Sequence, residues 1–267
     1  MILAAIPPYR TPTYLYKTRS QFDHHDVAAG GRWGVGLQEA YRLGMRQGCF
    51  QQARDAAIHG MNPQNGEGFL NAPNATRVLL PPDQNGNSTA STYDNGSMAF
   101  FLAQQFANLK TRTFQLGQGQ NFTILGPQRT LALWEYNIVQ LVQFQRDGAG
   151  SDSTFGTLEN ILAKNGDKLV WAYDDTLQGA GYNGADIVFM AMPDLKRPVG
   201  AEQINTNEFA SLSPGNTVNL TQYCDMAAPR EIISPLAAGA TDFVMEWRTS
   251  SGWAPRGQAL TIVDMPY

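Results

Sequence analysis

The sequence predicts a mixed α+β fold with long ordered loops and an extended N-terminal arm. An apolar stripe at helical spacing runs through residues 37–59, and alternating aromatic residues indicate a strand near the N-terminus. Residues 225–265 alternate strand-like runs with turns. Helices and strands that follow one another in this way are typical of an α+β protein.

The arm is predicted to span residues 1–34 and to have little core of its own. Pro7, Pro8 and Pro12 disfavour helix in its first part, and residues 13–18 alternate as a strand does. Gly30-Gly31 predicts a flexible turn before the next element. We expect such an arm to depend on a neighbouring subunit for its order, because segments outside a compact core usually serve contacts between chains.

A long helix is predicted over residues 37–59 and is expected to end at Gly60. Its apolar stripe consists of Leu37, Tyr41, Met45, Cys49, Ala53, Ala56 and Ala57. Gly44 and Gly48 lie four residues apart, share a face and would allow another backbone to approach closely. His59 is expected to lie at the helix end, near the terminal carbonyl groups.

The remaining elements are predicted from the same patterns. We expect helices over residues 98–109, from Pro127 to Phe144, and from Leu158 to Lys164 with Thr157 as its cap. Strands are expected near residues 76–80, 121–125, 169–173 and 186–192, with residues 194–224 forming mostly loops.

Composition excludes several functional classes. Hydrophobic residues make up 43% of the 267 residues, which suffices for a core, whereas charged residues make up only 16%. The net charge is −4 and no basic run occurs, so tight binding to nucleic-acid phosphates is not expected. No stretch approaches the ~20 apolar residues of a membrane span.

Cys49 and Cys224 allow one disulfide but not a disulfide framework, and both are predicted to be small buried hydrophobic residues.

The histidines offer a weak candidate for a metal site. His24 and His25 lie between Asp23 and Asp26, but neighbours in an extended segment point to opposite faces. We therefore prefer a solvated turn to a metal site.

Other candidate motifs are also weak. Gly179–Gly184 resembles a dinucleotide fingerprint, but a strand follows where a helix is required, so a turn is predicted. Asp174 and Asp175 are expected in a solvated turn, and Trp134 and Trp171 in the core. No catalytic, cofactor-binding or metal-binding residue is predicted, and the chain is not expected to be an enzyme.

Four passages of the sequence, taken together, resemble one protein family. They are residues 37–57, then His59-Gly60-Met61 followed by Gly68-Phe69-Leu70-Asn71-Ala72-Pro73, then residues 157–192, and then the residues from Met226-Ala227-Ala228-Pro229 onward. The family is that of the tailed-bacteriophage major capsid proteins of the Hong Kong 97-type fold, which are related to encapsulating shell proteins. In chain order the four passages look like its spine helix, the passage after that helix, the axial-domain helix, strand and hairpin, and the return strands.

The resemblance implies a structural shell subunit and a domain plan. Residues 1–34 would form the extended loop, 35–130 the peripheral domain, 131–225 the axial domain and 226–267 the returning strands of the peripheral domain. Because the loop begins almost at Met1, the family's N-terminal arm is expected to be very short or trimmed. Some relatives form covalent crosslinks between subunits, and Lys17, which lies in this loop, could serve in one, although nothing in the sequence requires it.

The resemblance also implies partners and a location. The chain would assemble into hexamers and pentamers of an icosahedral head that encloses double-stranded DNA without binding it specifically. Scaffolding, portal or decoration proteins would be further partners, and no membrane or cofactor is expected. Such a protein would be assembled in the host bacterial cytoplasm and would reside in the virion.

Two other functions remain open from the sequence. One is an encapsulin-like nanocompartment shell, which has the same fold and holds protein cargo. The other is a soluble carbohydrate-active or carbohydrate-binding α+β protein that uses the tryptophans with Asp174 or Asp175.

Overall fold

A computed structural model describes residues 11–32, 34, 36–113, 115, 119–136, 138–139, 152–195, 221–236 and 240–267. The described residues form two compact units. Unit 1 consists of the described parts of Met1–Asn71 and Tyr223–Trp253, and unit 2 of those of Ala72–Gln222 and Ala254–Tyr267.

The helices and strands alternate along the chain as an α+β protein requires. In chain order they are β1 (Tyr14–Phe22), α1 (His24–Arg32), α2 (Leu37–Ile58), β2 (Thr76–Leu79), α3 (Asn95–Arg112), β3 (Asn121–Gly126), α4 (Gln128–Tyr136), β4 (Ile138–Val139), β5 (Asp152–Ser153), α5 (Thr154–Lys164), β6 (Lys168–Tyr173), β7 (Asp186–Ala191), β8 (Arg230–Pro235), β9 (Thr241–Thr249) and β10 (Leu260–Met265).

Unit 1 is built on an antiparallel sheet in the order β1-β9-β8. Its small core joins this sheet to α2 and contains Phe22, Cys49, Ala53, Phe243, Met245 and Trp247. The predicted helix over residues 37–59 is confirmed as α2, and Gly60 follows it with a φ of 77°. Gly44 and Gly48 have open space beside them, since a Cβ built at either would meet no atom within 4 Å apart from the adjoining residues and backbone of α2 itself.

The prediction of an arm with little core is wrong for the described part of residues 1–34. β1 pairs with β9 along its full length, from Tyr14 opposite Thr249 to Phe22 opposite Thr241. The ring of Tyr16 stacks on Trp247 with 4.8 Å between centroids. A strand whose partner lies more than two hundred residues away in sequence cannot be recognised from local pattern alone, because its pairing is entirely non-local.

Unit 2 is built on a five-stranded mixed sheet in the order β2-β10-β7-β3-β6. The outer pairs β2–β10 and β3–β6 are parallel, whereas β7 runs antiparallel to both of its neighbours. Strand β3 alternates buried and half-buried side chains, with Phe122 and Ile124 in the main core. Helices α3, α4 and α5 contribute Leu102, Trp134 and Leu158 to the same core.

Two details of the predicted helices are wrong. The helix expected to run from Pro127 to Phe144 ends at Tyr136, and β4 follows it at Ile138–Val139; residues 140–144 lie outside the described residues. The β-branched side chains of Ile138 and Val139 favour a strand, and β4 pairs with β5. Thr157 does not cap α5, because that helix already begins at Thr154.

The compact units divide the chain at different places from the predicted domains. The boundary expected at residue 131 runs through the sheet of unit 2, since β3 precedes it and pairs with β6 and β7 beyond it. β10 lies in the predicted return segment 226–267 but belongs to this same sheet. The assignment of peripheral and axial domains stays a prediction. Most of the loop region expected over residues 194–224 lies outside the described residues.

Candidate assembly surfaces

The passage after α2 is held by backbone contacts that only glycine permits. A Cβ on Gly60 would overlap the carbonyl group of Glu67, and one on Gly68 would lie 2.5 Å from the backbone nitrogen of Gly60. Asn71 closes the turn by donating from Nδ2 to the carbonyl oxygens of His59 and Glu67, at 2.8 and 2.9 Å. The residues that carried the family resemblance therefore serve a structural purpose, the close crossing of two backbone segments.

The Glu67 carboxylate anchors β1 to this passage. The side chain is fully buried, and it accepts hydrogen bonds from the Tyr14 hydroxyl at 2.8 Å and from the Asn62 backbone N–H at 3.0 Å. Burial and the nearby Glu67 carboxylate raise the pKa of the Tyr14 hydroxyl to about 12. Strand β1 is thereby held at its first residue, Tyr14, by a contact within its own chain.

Replacing Tyr14 by phenylalanine is expected to destabilise the protein by about 1–2 kcal/mol, because Glu67 loses a donor in a buried site. The hydroxyl's contribution should be complete below pH ~10, the pKa of an unfolded tyrosine. It should be lost as the pH rises through the folded pKa of about 12. Urea unfolding of both proteins checks this, with Tyr182→Phe at an exposed tyrosine as the matched control. Equal stability of Tyr14→Phe and wild type would contradict the anchor.

The Asp23–Asp26 segment is a helix start, so its predicted extended conformation is wrong. The Asp23 side chain accepts hydrogen bonds from the backbone N–H groups of His25 and Asp26, at 2.8 and 2.9 Å. Asp26 in turn accepts from the backbone N–H of Asp23 at 3.1 Å, which completes a reciprocal cap. Within the described residues, no group of three or more potential metal ligands occurs.

The paired-carboxylate candidate separates into two structural roles. Asp174 is buried, not solvated as predicted, and accepts hydrogen bonds from both the backbone and the hydroxyl of Thr176. Asp175 accepts from the backbone N–H of Gln128 at 2.9 Å. The sequence pattern of adjacent acids did not reveal these different partners.

The other candidate residues also have structural surroundings. Residues 178–185 turn the chain into β7, as predicted, with Gly179 and Gly184 at positive φ. Trp134 lies in the core, and Trp171 packs against that core while donating to Glu159 at 2.9 Å. His59 caps the end of α2 through its backbone N–H, which donates to Asp55.

Three further expectations concern cysteine, lysine and membrane insertion. Cys49 is buried as predicted, but Cys224 is exposed, so that prediction is wrong; neither forms a disulfide. Lys17 pairs with Glu246 at 3.0 Å within its own sheet. Among the described residues, no helix combines the length and the apolar character that crossing a bilayer requires.

One end of the sheet in unit 2 carries two arginine–carboxylate pairs that the sequence did not indicate. Asp264 receives two hydrogen bonds from Arg77, at 2.6 and 2.7 Å, and Asp186 receives two from Arg129, at 2.8 and 2.5 Å. The Arg129 guanidinium also lies 4.3 Å from the ring centre of Tyr267. Both carboxylates are therefore occupied by structural partners.

Large exposed hydrophobic side chains lie on each unit. On α2 of unit 1, Leu43 is 58% and Phe50 51% exposed; on unit 2, Phe100 of α3 is 71% exposed. Other exposed hydrophobic side chains of unit 2 are Leu79, Ile161, Val170, Tyr173, Tyr182 and Tyr267. Scattered exposed apolar residues are ordinary, whereas contiguous ones indicate contact surfaces.

By sequence, no family model matches this chain, and no curated protein matches it significantly. The fold, in contrast, has solved counterparts.

Three solved structures illustrate that likeness. The capsid of Myoviridae phage XM1 has a TM-score of 0.63 at 8% identity, over 96% of this chain and 74% of that chain. The capsid of an empty GTA particle has a TM-score of 0.51 at 11% identity, over 96% and 73%. A chain of Mycobacterium phage Che8 has a TM-score of 0.50 at 10% identity, over 94% and 70%. The predicted α+β fold of the Hong Kong 97-type is thereby confirmed.

Proposed function

We propose that this chain is the major capsid subunit of a tailed bacteriophage, a structural protein that assembles with copies of itself into a closed shell. The observation that carries the proposal is the fold shared with the phage XM1 capsid over 96% of the chain. Because one fold can serve several functions, the surface and the candidate sites must also be consistent with a capsid subunit.

The surface composition supports an assembling subunit. Only 16% of the residues are charged, which weakens repulsion between copies at close range. Exposed side chains such as Leu43 and Phe50 on unit 1 and Leu79 and Tyr182 on unit 2 supply apolar contact area. Interface cores are depleted in charged residues and enriched in aromatic ones, so such a surface suits contacts between subunits.

The absence of a convergent reactive site among the described residues supports a structural protein over an enzyme. The buried carboxylates of Glu67, Asp174, Asp186 and Asp264 all accept hydrogen bonds from neighbouring structural groups. The carbohydrate-binding alternative loses support for the same reason, since Trp134 is buried and Asp174 and Asp175 have separate partners.

The remaining features of the proposal follow from shell architecture. Hexamers and pentamers of the chain would enclose double-stranded DNA in the virion after assembly in the host cytoplasm. The net charge of −4 fits a container that holds DNA without specific contacts. Scaffolding, portal and decoration proteins are the further partners we propose, with a peripheral and an axial domain in each subunit.

The proposal is tested by expressing the chain alone and measuring particle mass by sedimentation. We expect species of shell or capsomer size, whereas a monomer at all concentrations would contradict the proposal. Extraction of purified particles then separates the phage head from the nanocompartment alternative. A specific co-purified protein cargo would favour the nanocompartment, and nuclease-protected DNA in particles from infected or induced cells would favour the phage head.

A further inference from the structure

The outward side of α2 carries an ordered stripe that the core of unit 1 does not use. Glu39, Leu43, Gln47, Phe50 and Arg54 follow one another at intervals of four, four, three and four residues. At about 100° per residue they share one face of the helix. That face is rotated by about 110° around the helix from the side that carries the buried Cys49, Ala53 and Ala56.

Two large apolar side chains lie in the middle of this stripe. Leu43 is 58% exposed and Phe50 is 51% exposed. They are seven residues apart, two turns of the helix, so they lie on the same side of α2, about 10 Å apart along its axis and on either side of Gln47. An exposed apolar pair of this kind on a helix is suited to packing against a second helix.

The charges at the two ends of the stripe have opposite sign. Glu39 lies in the first turn of α2, with its side chain 65% exposed, and Arg54 lies in the last two turns. The two residues are separated by about 22 Å along the helix axis, so they cannot pair with each other in one chain. Between them, Arg46 is engaged with Glu231 of β8 at 3.1 Å.

We propose that α2 packs antiparallel against α2 of a second copy of this chain, across a two-fold axis between residues 46 and 47. In this arrangement Glu39 of each copy faces Arg54 of the other, and Leu43 of each copy faces Phe50 of the other. Along α2, the midpoint between Glu39 and Arg54 coincides with the midpoint between Leu43 and Phe50. A two-fold axis through that point therefore forms both kinds of pair at once, as an isologous contact requires. The inference rests on the proposed function, because it names one contact of the shell subunit.

Only the antiparallel orientation satisfies the charges. A parallel pair would place Glu39 against Glu39 and Arg54 against Arg54. The antiparallel pair also places opposite ends of the two helix macrodipoles side by side. An acid near the start and a base near the end of a helix are favoured by its own dipole as well. The two apolar residues and the two charged residues are thus arranged symmetrically about one point of α2, between residues 46 and 47.

The contact is expected to be weak when it acts alone. One helix pair buries less than the roughly 1,200 Å² of a typical specific interface. In a shell the same contact repeats between subunits that are already held by other contacts, so a small gain becomes effective through avidity. Its natural measurement is the protein concentration at which assembly begins.

Charge reversal tests the contact. Glu39→Arg alone is expected to raise the assembly concentration by about tenfold, since each two-fold contact gains two like-charge pairs. The double variant Glu39→Arg/Arg54→Glu is expected to return to within about threefold of wild type. Glu39 pairs with Arg42 of its own chain at 3.7 Å, and Arg54 also interacts within its own chain, so the comparison of single and double variants carries the test, not either single variant alone.

An apolar substitution with a matched control completes the test. Phe50→Ser is expected to raise the assembly concentration by about tenfold, whereas Phe100→Ser, at a more exposed phenylalanine of α3, should change it by less than about threefold. Equal effects of the two substitutions, or no rescue in the double charge reversal, would overturn the contact. If a segment of the same chain or another protein covered the stripe instead, Phe50→Ser would still impair assembly, but the double variant Glu39→Arg/Arg54→Glu would not restore it.

The same measurements separate this inference from the proposed function. Wild-type shells that respond to none of these substitutions would remove the α2 contact and leave the capsid function intact. If wild type forms no particle, the function fails, and the charge-reversal set is then compared for dimerisation by sedimentation at high protein concentration. Dimerisation that follows the reversal and rescue pattern would still support the α2 contact, and its absence would overturn it.

Discussion

Gly252→Ala is expected to destabilise unit 1 by about 3 kcal/mol or more, because the new methyl group would meet backbone that cannot move independently. A Cβ at this position would overlap the carbonyl oxygen of Ala57 and lie 2.8 Å from its carbonyl carbon. The same crossing is held by hydrogen bonds from the Gly252 N–H to Ala56 at 3.1 Å and from the Gly68 N–H to Gly252 at 2.7 Å.

Gly44→Ala is the matched control for this substitution. Gly44 lies within α2 and has open space around it, so alanine there is expected to stabilise the protein by about 0.5–1 kcal/mol. Thermal unfolding of the two variants checks both signs together. A Gly252→Ala protein as stable as wild type would mean that the end of α2 and the 250–253 segment do not cross as closely as described.

Asp186→Asn is expected to cost about 2–4 kcal/mol, since it removes the charge that compensates Arg129 in a buried site. Asp186 is fully buried and also accepts hydrogen bonds from the Thr130 hydroxyl at 2.6 Å and the Gly179 N–H at 2.9 Å. Burial alone would raise the pKa of the Asp186 carboxyl, but hydrogen bonds from Arg129, Thr130 and Gly179 outweigh it, and the pKa falls below its usual value.

The direction of that pKa shift gives the pH dependence. The carboxylate's stabilising contribution is complete above the unfolded pKa of about 3.9 and is lost as the pH falls through the lower folded pKa. The difference between wild type and Asp186→Asn in urea unfolding should therefore shrink below pH ~4. Glu246→Gln, which breaks the more exposed pair with Lys17, should cost less than about 1 kcal/mol. If Asp186→Asn and Glu246→Gln lowered the free energy of unfolding equally, burial would not explain the larger contribution expected of the Asp186 pair.

Much of the fold was predictable because its elements carry local patterns. The stripe from Leu37 to Ala57 has helical spacing, and Gly60 follows it as a stop, so α2 appears within one residue of its predicted end. The strands β3, β6 and β7 are short apolar runs bounded by turn residues, and each lies where the pattern placed it. Core residues such as Trp134 were predictable on the same basis.

The errors arose where non-local contacts decide the structure. The local pattern predicts a detached arm where β1 lies, because the partner strand β9 is at the other end of the chain. α1 buries no residue and contains Gly30 and Gly31, so no apolar periodicity marks it, and only the cap formed by Asp23 and Asp26 does. The exposure of Leu43, Phe50 and Cys224 depends on what the rest of the chain leaves uncovered, which sequence periodicity cannot express.

Electron microscopy of the purified wild-type protein tests the central claim most directly. If the chain is a capsid subunit, class averages should contain closed shells or rings with five-fold or six-fold symmetry, and a reconstruction should contain this fold repeated over the surface. Fields that contain only small monodisperse particles of monomer size, at every concentration and salt condition, would contradict the account.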